Sequence, residues 1–322
     1  MLKLCYQQTT GSYHRHCQDH YQIHAEADRV IAAVADGHGG RPYVRSGLGA
    51  RFACAAAVKL LRAGIAAQEF PKAMKQTFDH MVKKHLEHRP LVDWEQERLD
   101  GRPAWQAYGT TLMAAVMTAD KAVLFQVGDG EIHALDANGS FLQALPADEN
   151  CHGNITTSLV QDMPWVLRNF RYRELPGCSA VMLFTDGFTG AWKMAEGLLN
   201  PEALESHVAE TLRRGRHGDD QTFVMVYLPE KVRSDAFQNG LQEHIGLIRT
   251  ELEKRKQREV IRKELDELRV YLHLAMRRAE KLKEENSADY ETYLQKLKPK
   301  YERYLQLQQQ LESLGKEWLI CL

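Results

Sequence analysis

The sequence predicts an α+β domain followed by a separate helical region. Before residue 230, short apolar runs bounded by Gly and Asp alternate with helical stretches, whereas residues 231–322 contain almost no Gly and a single Pro. Short β-rich runs between turn residues are typical of strands, and strands mixed with long helices favour layers of sheet and helix. We therefore expect two regions, residues 1–230 and residues 231–322.

Four predicted strands carry an acidic residue at one end. Residues 30–35 form the first of these apolar runs, and Asp36-Gly37-His38-Gly39-Gly40 follows it directly. The other three are residues 123–127 before Gly128-Asp129-Gly130, residues 181–185 before Asp186-Gly187, and residues 221–227 after Asp219-Asp220.

These acidic turns have an ordinary explanation and a functional one. Asp and Gly are common in turns for conformational reasons alone. Carboxylates gathered at one edge of a sheet, however, repel each other unless cations are bound between them. The repetition at four strand ends favours a metal site, and oxygen ligands of this kind suit Mg²⁺ or Mn²⁺ rather than Zn²⁺.

Three helices are predicted among the strands, at about residues 42–63, 71–88 and 201–214. Small residues in the first helix, such as Ala53 and Ala57, allow close packing on a sheet. Residues 90–107 are expected to form an irregular insertion or loop.

The region 231–322 carries apolar residues at helical spacing. A break is expected at residues 285–287, where Asn286 or Ser287 can cap a new helix. Pro299 should kink the second helix or mark a boundary within it. Two amphipathic helices joined by a short break favour an antiparallel hairpin, similar to a coiled coil. Such a hairpin buries little surface alone, so we expect it to pack on the first domain, self-associate or bind another protein.

Composition argues against several classes of protein. The chain has 322 residues and a net charge of −1, which provides no general attraction for nucleic acid or membrane surfaces. Its six Cys lack framework spacing and predict free thiols in a reducing compartment. The first residues show no secretory signal, and no apolar stretch is long enough to span a bilayer. We expect a cytoplasmic protein.

In their order, the motifs resemble those of the metal-dependent protein phosphatases of type 2C, the PPM family. The resemblance covers about residues 1–228 and consists of Gln18-Asp19, residues 36–40, Gly109-Thr110-Thr111, residues 128–130, Asp186-Gly187 and residues 219–222. It implies a β-sandwich of two mixed or antiparallel sheets flanked by helices, with metal ions at one edge. A C-terminal α-helical hairpin would follow this domain.

The resemblance also implies ligands for two Mg²⁺ or Mn²⁺ ions. Asp36 would bridge the two ions, and the carbonyl of Gly37 would complete one coordination shell. The other implied ligands are Asp186 and Asp219 for the first ion, Asp19 near the second through water, and Asp129 for a third, weaker ion found in some relatives.

The implied catalytic residues are Asp36 and His38. Two divalent ions can lower the pKa of a bridging water and neutralise charge on a phosphoryl group. The resemblance makes His38 the general acid that protonates the leaving oxygen, and His is the side chain best suited to do so near neutral pH.

The sequence departs from the family pattern at several positions. Many members have an Arg that binds the substrate phosphate where this chain has His14, with Arg15 beside it, and either residue could serve. A neutral His is a weaker phosphate ligand than a bidentate Arg. Gln18 replaces a frequent Glu. Gly130 and Gly190 stand where some relatives have Ser and Asp, so the third metal site is expected to be weak or absent.

The expected function is hydrolysis of phosphoserine and phosphothreonine in proteins by a metal-activated water, reversing a cytosolic Ser/Thr kinase. A small phosphorylated molecule is a further substrate class. The alternative from a different class is a phosphatase-like scaffold with weak or no turnover that acts through its helical tail. The sequence names neither the substrate nor the role of the tail.

Overall fold

The computed structural model of the chain describes residues 1–146, 156–188, 191–214, 218–285 and 287–315. It contains two compact units, the first ending at His244 and the second beginning at Ile245. The functional boundary near residue 230 stays a prediction, because a compact unit is defined by packing and not by activity.

Among the described residues, the strands of the first unit form two five-stranded antiparallel sheets. The strands are β1 Lys3–Thr9, β2 His20–Ala25, β3 Arg29–Ala35, β4 Leu112–Thr118, β5 Lys121–Val127, β6 Glu131–Leu135, β7 Phe141–Leu142, β8 Arg171–Pro176, β9 Ala180–Phe184 and β10 Gln221–Tyr227. Their order is β1-β10-β9-β6-β7 in one sheet and β2-β3-β4-β5-β8 in the other. The predicted two-sheet α+β fold is confirmed.

Helices flank the sheets at the predicted places. The helices are α1 Ser46–Arg62, α2 Phe70–His88, α3 Asp93–Leu99, α4 Met163–Asn169, α5 Ala191–Glu196, α6 Leu204–Arg214, α7 Pro229–Val232, α8 Asp235–Glu284 and α9 Tyr290–Ser313. Short 3₁₀ turns cover Ala104–Tyr108, Gly197–Leu199 and Pro201–Ala203.

The prediction of an irregular insertion was wrong over α3 and the first 3₁₀ turn. The backbone N–H of Val92 donates to the Glu95 carboxylate at 3.0 Å, and Asp93 adds negative charge to the first turn of α3. Negative charge is favourable at a helix N-terminus. Because α3 is held by local polar contacts and lacks a long apolar stripe, hydrophobic spacing does not reveal it.

Two apolar layers hold the first unit together. One lies between the sheets and includes Val34, Val181 and Val224. The other lies between the second sheet and helices α1 and α2, and includes Ala53 and Ala57. The small side chains of α1 allow the close approach to the sheet that the sequence predicted.

Strand pairing brings acidic turns together at the edge of the first sheet. Phe184 at the end of β9 pairs with Phe223 near the start of β10. Asp186 follows β9 and Asp219 precedes β10, so antiparallel pairing places both turns at the same edge. In the second sheet, the chain leaves β3 at Asp36, and Gly37 pairs with Thr110 just before β4.

The second unit contains most of α8 together with α9, which run antiparallel. Arg303 of α9 donates to Glu264 of α8 at 2.8 and 3.0 Å. The Arg258 guanidinium of α8 donates to the Leu314 carbonyl beyond the end of α9, at 2.8 Å. The helix α9 continues on both sides of Pro299, so this residue does not mark a boundary, and the alternative of a kink there stays a prediction. The predicted C-terminal helices are confirmed.

Two further predictions concern the described residues only. Within them, no helix is long and apolar enough to cross a membrane. Cys5, Cys17, Cys54 and Cys178 are free thiols, as the sequence predicted.

Candidate active site

Four of the predicted site residues come together at one edge of the sandwich. Burial raises the pKa of Asp36 well above its usual range, and the charges of Asp19, Asp186 and Asp219 raise it further. Charges act on Asp36 in this way only from nearby, so Asp19, Asp186 and Asp219 each lie near Asp36. Asp19 lies on the buried floor of this carboxylate cluster, while Asp186 and Asp219 are exposed at its rim.

Asp19 has a carboxylate oxygen that lacks a hydrogen-bond donor. The side chain is only 5% exposed, and its Oδ2 accepts a hydrogen bond from the Thr185 hydroxyl at 2.8 Å. The other oxygen, Oδ1, is buried and has no hydrogen-bond partner. Burial and the nearby Asp220 raise the pKa of Asp19 to about 7, although hydroxyl groups partly oppose the shift.

These observations fit a divalent-cation site. A buried carboxylate oxygen without a donor is costly unless a proton or a cation satisfies it. The donor set consists of carboxylate oxygens, as Mg²⁺ and Mn²⁺ prefer. The four carboxyl groups are therefore suited to divalent cations.

The turn that carries Asp36 is fixed by two threonines. The Asp36 carbonyl accepts hydrogen bonds from the Thr110 hydroxyl at 2.7 Å and the Thr111 N–H at 2.9 Å. The Asp36 N–H donates to the Thr111 hydroxyl at 3.1 Å. At Gly37, a Cβ atom would lie 2.6 Å from the carbonyl oxygen of Gln18, so the close backbone approach requires glycine.

His38 lies near Asp186 of this cluster and is half-buried. The backbone N–H of His38 donates to the Gly109 carbonyl at 3.1 Å, and the His38 ring meets the Tyr43 ring edge-on with 4.9 Å between centroids. Burial lowers the pKa of His38 to about 4, and the charge of Asp186 opposes the shift. The imidazole is therefore neutral near pH 7, and a bound phosphate dianion would raise its pKa.

His14, a predicted phosphate ligand, lies beside two carboxylates. Its Nδ1 is 3.0 Å from Oδ2 of Asp220 and 3.7 Å from Oδ1 of Asp219. The side chain of Arg15 is exposed. Phosphate binding by His14 or Arg15 stays a prediction.

Asp220 is an important residue that the sequence analysis did not single out. It is 2% exposed, and its carboxylate accepts hydrogen bonds from the N–H groups of Gly11 at 2.8 Å and Gln18 at 2.6 Å. It therefore ties both ends of the loop before Asp19 to the turn that carries Asp219. The sequence does show Asp220 as the second residue of the Asp219-Asp220 pair. Its role could not be predicted, because its hydrogen-bond partners are 209 and 202 residues away in sequence.

Asp129, predicted to hold a third ion, lies in the turn between β5 and β6 and is half-buried. The preceding Gly128 has a φ of 101°, and a Cβ there would lie 2.5 Å from the Thr111 side chain. This turn therefore packs against the threonine that anchors Asp36. The third-ion role stays a prediction, and Gly190 lies outside the described residues.

Two cavities differ in their relation to the carboxylates. A cavity of about 640 Å³ is lined by Asp219 together with Gly11 and Ser12. A larger one of about 1090 Å³ lies between α2, the Ala104–Tyr108 turn and α4, and Trp105 and Trp165 are in its lining. None of the four clustered carboxylates lines the larger cavity, so its size does not identify the reactive centre.

Comparisons with known proteins agree with this geometry. A family model described as protein phosphatase 2C matches residues 10–225. A bacterial serine phosphatase structure has a TM-score of 0.51 and 13% identity, covering 70% of this chain and 98% of its own. The S. agalactiae serine/threonine phosphatase has a TM-score of 0.51 and 16% identity, covering 71% and 100%.

A third similar structure is the catalytic domain of the serine/threonine protein phosphatase PstP in complex with two manganese ions. Its TM-score is 0.50 at 17% identity, covering 70% of this chain and 97% of that domain. At these identities the structures show a shared fold. A search of curated proteins finds no match to the chain.

Proposed function

The chain belongs to the protein phosphatase 2C family, and from this membership we propose that it hydrolyses phosphoserine and phosphothreonine in proteins with Mg²⁺ or Mn²⁺. The observation that carries the proposal is the carboxylate cluster of Asp19, Asp36, Asp186 and Asp219, whose buried Asp19 oxygen lacks a donor. Ordinary turns do not require buried acids of this kind.

The metal ligands are proposed residue by residue. Asp36 would be shared by the two ions, and the Gly37 carbonyl would complete one of the two coordination shells. Asp186 and Asp219 would hold the first ion, and Asp19 would lie near the second, mostly through water. When bound, two such ions supply an activated water and neutralise charge on the phosphoryl oxygens. Asp129 is proposed for a third, weaker ion.

His38 is proposed to deliver a proton to the leaving oxygen of the serine or threonine. Because burial lowers its pKa, the imidazole must first take up a proton from solvent, and a phosphate dianion nearby favours this uptake. The anion stabilises the imidazolium, which can then act as a general acid. The Gly109 carbonyl and the Tyr43 ring fix the position of His38 for this step.

Phosphate recognition is proposed for His14 and Arg15. Arg15 is exposed and can reach solvent-borne groups, whereas His14 is close to Asp219 and Asp220. The two carboxylates attract the imidazole of His14 and repel an anionic substrate, so His14 is poorly placed to bind phosphate. This placement favours the alternative of a weakly active or inactive scaffold that acts through residues 231–322.

The proposed partner is a phosphoprotein of the cytoplasm that a Ser/Thr kinase modifies. Self-association or partner binding through residues 231–322 is part of the same proposal, as is a coiled-coil-like role for this hairpin. No nucleic-acid or membrane partner is proposed, in line with the net charge of −1.

Turnover with and without Mn²⁺ tests the proposal. We expect Mn²⁺-dependent hydrolysis of p-nitrophenyl phosphate and of a phosphothreonine peptide. In Asp36→Asn it should fall by about 100-fold or more, because the proposed shared ligand of the ions that stabilise the transition state is lost. Asp28→Asn, a change in the exposed turn between β2 and β3, is the control and should retain activity. Absence of Mn²⁺-dependent turnover in the intact chain would favour the scaffold, and activity on small phosphomonoesters alone would indicate a small-molecule phosphatase.

A further inference from the structure

The segment between α2 and β4 is held by one arginine. The Arg45 guanidinium donates two parallel hydrogen bonds to the Glu95 carboxylate, from Nε at 2.8 Å and from Nη2 at 2.6 Å. The two side chains are 10% and 8% exposed. A planar guanidinium matches a carboxylate in this two-pronged manner, and a lysine cannot reproduce it.

The remaining donors of Arg45 bind both ends of the same segment. Nη1 donates to the Arg89 carbonyl at 2.7 Å and Nη2 to the Pro90 carbonyl at 3.0 Å. Nη1 also donates to the Tyr108 hydroxyl at 2.9 Å, and the backbone N–H of Arg45 donates to the Ala107 carbonyl at 2.8 Å. One residue therefore joins the beginning, the helix and the end of this segment.

Tyr108 is the member of this network that directly precedes Gly109, the residue whose carbonyl is bonded to the backbone of His38. Its ring is fully buried, and its hydroxyl lies 2.7 Å from Nδ1 of His85 as well as near Arg45. The carbonyl of the next residue, Gly109, accepts a hydrogen bond from the backbone N–H of His38 at 3.1 Å. The position of Tyr108 thus determines where the backbone beside His38 lies.

Gly109 forms the surface on which two rings pack. A Cβ atom at this position would lie 2.4 Å from the Tyr43 ring and 2.7 Å from Cδ2 of His38. The two rings contact each other as well. A shift of the Gly109 backbone would therefore move the His38 imidazole directly.

We propose that Arg45 is a positioning residue for His38, acting through Glu95, Tyr108 and Gly109, and that it governs proton delivery to the leaving group. The inference rests on the proposed function of His38. Arg45 bonds to Ala107 and Tyr108, directly before the Gly109 backbone that contacts His38. Loss of these bonds should therefore displace His38 more than the carboxylates. A misplaced general acid slows the departure of an alkoxide, which needs a proton, far more than that of p-nitrophenolate, which departs as a stable anion.

Two substrates with different leaving groups test the proposal on the intact, Mn²⁺-loaded chain. In Arg45→Lys we expect kcat for a phosphoserine peptide to fall about tenfold, within the range that general acid catalysis contributes, while kcat for p-nitrophenyl phosphate changes by less than about twofold and KM is unchanged. His38→Ala should show the same selectivity with a larger loss. Tyr108→Phe, which keeps the ring and removes the hydroxyl, should show a smaller selective loss.

Arg29→Lys is the matched control. Arg29 also donates two hydrogen bonds to one carboxylate, that of Glu26 at 2.8 and 3.1 Å, but this pair lies in the exposed turn between β2 and β3. We expect Arg29→Lys to leave both substrates unaffected.

Equal losses on both substrates in Arg45→Lys and Tyr108→Phe, or no loss in either, would overturn the proposal and leave the network a purely structural role. If Arg45→Lys does not fold, Tyr108→Phe alone decides. If His38→Ala shows no selectivity while Mn²⁺-dependent turnover persists, both the general-acid role and this inference fail. Selectivity in His38→Ala without selectivity in the network variants overturns only the inference.

Discussion

The two units use charged residues in opposite ways. In the first unit, acidic side chains gather at the edge of a sandwich, and burial together with mutual repulsion raises the pKa of Asp36. In the second unit, charges are mostly spread over two exposed helices, as in the pair of Glu264 and Arg303, which are 40% and 45% exposed. Solvent screens the exposed charges of the second unit but not the buried carboxylates of the first. Only the buried carboxylates therefore favour the binding of cations.

Arg258 is the exception in the second unit. Its side chain is 2% exposed, pairs with Glu251 at 2.6 Å and donates to the Leu314 carbonyl. Buried ion pairs of this kind are costly to break, because one charge is left uncompensated. The difference between buried and exposed charge therefore recurs within the hairpin itself.

The largest effect is expected from Arg258→Ala. The substitution breaks the buried ion pair with Glu251 and removes the hydrogen bond to the Leu314 carbonyl. The free energy of unfolding should therefore fall by about 3 kcal/mol. Arg303→Ala is the exposed counterpart and should cost less than about 1 kcal/mol. Urea denaturation followed by circular dichroism measures both, and equal losses would contradict the distinction between buried and exposed pairs.

A second prediction concerns pH and Mn²⁺ in the first unit. Burial raises the pKa of Asp19 to about 7, above the value of 3.8 for an ordinary Asp. Between pH 3.8 and about 7, the metal-free folded state therefore binds more protons than the unfolded state. The stabilisation that protonation of Asp19 provides is lost as pH rises through about 7. Cations replace the protons, so stabilisation by Mn²⁺ should be larger at about pH 8 than at about pH 5.

Melting temperatures in Mn²⁺ and in EDTA at the two pH values measure this effect. Asp19→Asn should reduce the difference between them, because its side chain does not titrate in this window. A Mn²⁺ stabilisation that is independent of pH in the unaltered chain would count against a raised pKa of Asp19.

A smaller effect is expected from Asp220→Asn. The two carboxylate oxygens of Asp220 each accept one backbone N–H, from Gly11 and from Gln18. The amide of Asn has only one acceptor oxygen, so its NH₂ group would face one of these N–H donors and lose that hydrogen bond. We expect about a tenfold loss of Mn²⁺ affinity, as for other groups that orient metal ligands. Isothermal titration calorimetry measures the affinity.

Asp136→Asn provides the matched control for Asp220. A single oxygen of Asp136, Oδ1, accepts the N–H groups of Asn138 at 2.8 Å and Ser140 at 2.9 Å, so an amide can retain both bonds. Mn²⁺ affinity should not change in this variant. If Asp220→Asn also leaves the Mn²⁺ affinity unchanged, the hydrogen bonds from Gly11 and Gln18 to Asp220 are not needed for metal binding.

Much of the first unit could be predicted from local patterns. Apolar runs that end in Asp and Gly locate the strands, and their order identified the family before any geometry was known. The acidic residues of four turns could be recognised because each turn follows or precedes a strand. Which strands pair could not be read from these runs, since pairing depends on contacts far apart in sequence.

The residues that the sequence did not reveal share a physical cause. Asp220 binds backbone donors about 200 residues away, and Arg45 meets Glu95 across 50 residues. Such polar contacts leave no periodic pattern, unlike the apolar stripe of α1. The insertion around α3 was missed for the same reason, because its stability comes from side chain–backbone bonds and from Arg45.

The central claim is that the carboxylates of Asp19, Asp36, Asp186 and Asp219 form one site for divalent cations. Calorimetric titration of the metal-free chain with Mn²⁺ tests it most directly, with Asp36→Asn titrated alongside. We expect two bound ions per chain in the unaltered protein and loss of at least one in the variant, because Asp36 is the ligand proposed to be shared by both ions. Two ions bound with unchanged affinity in Asp36→Asn, or none in the unaltered chain, would contradict it.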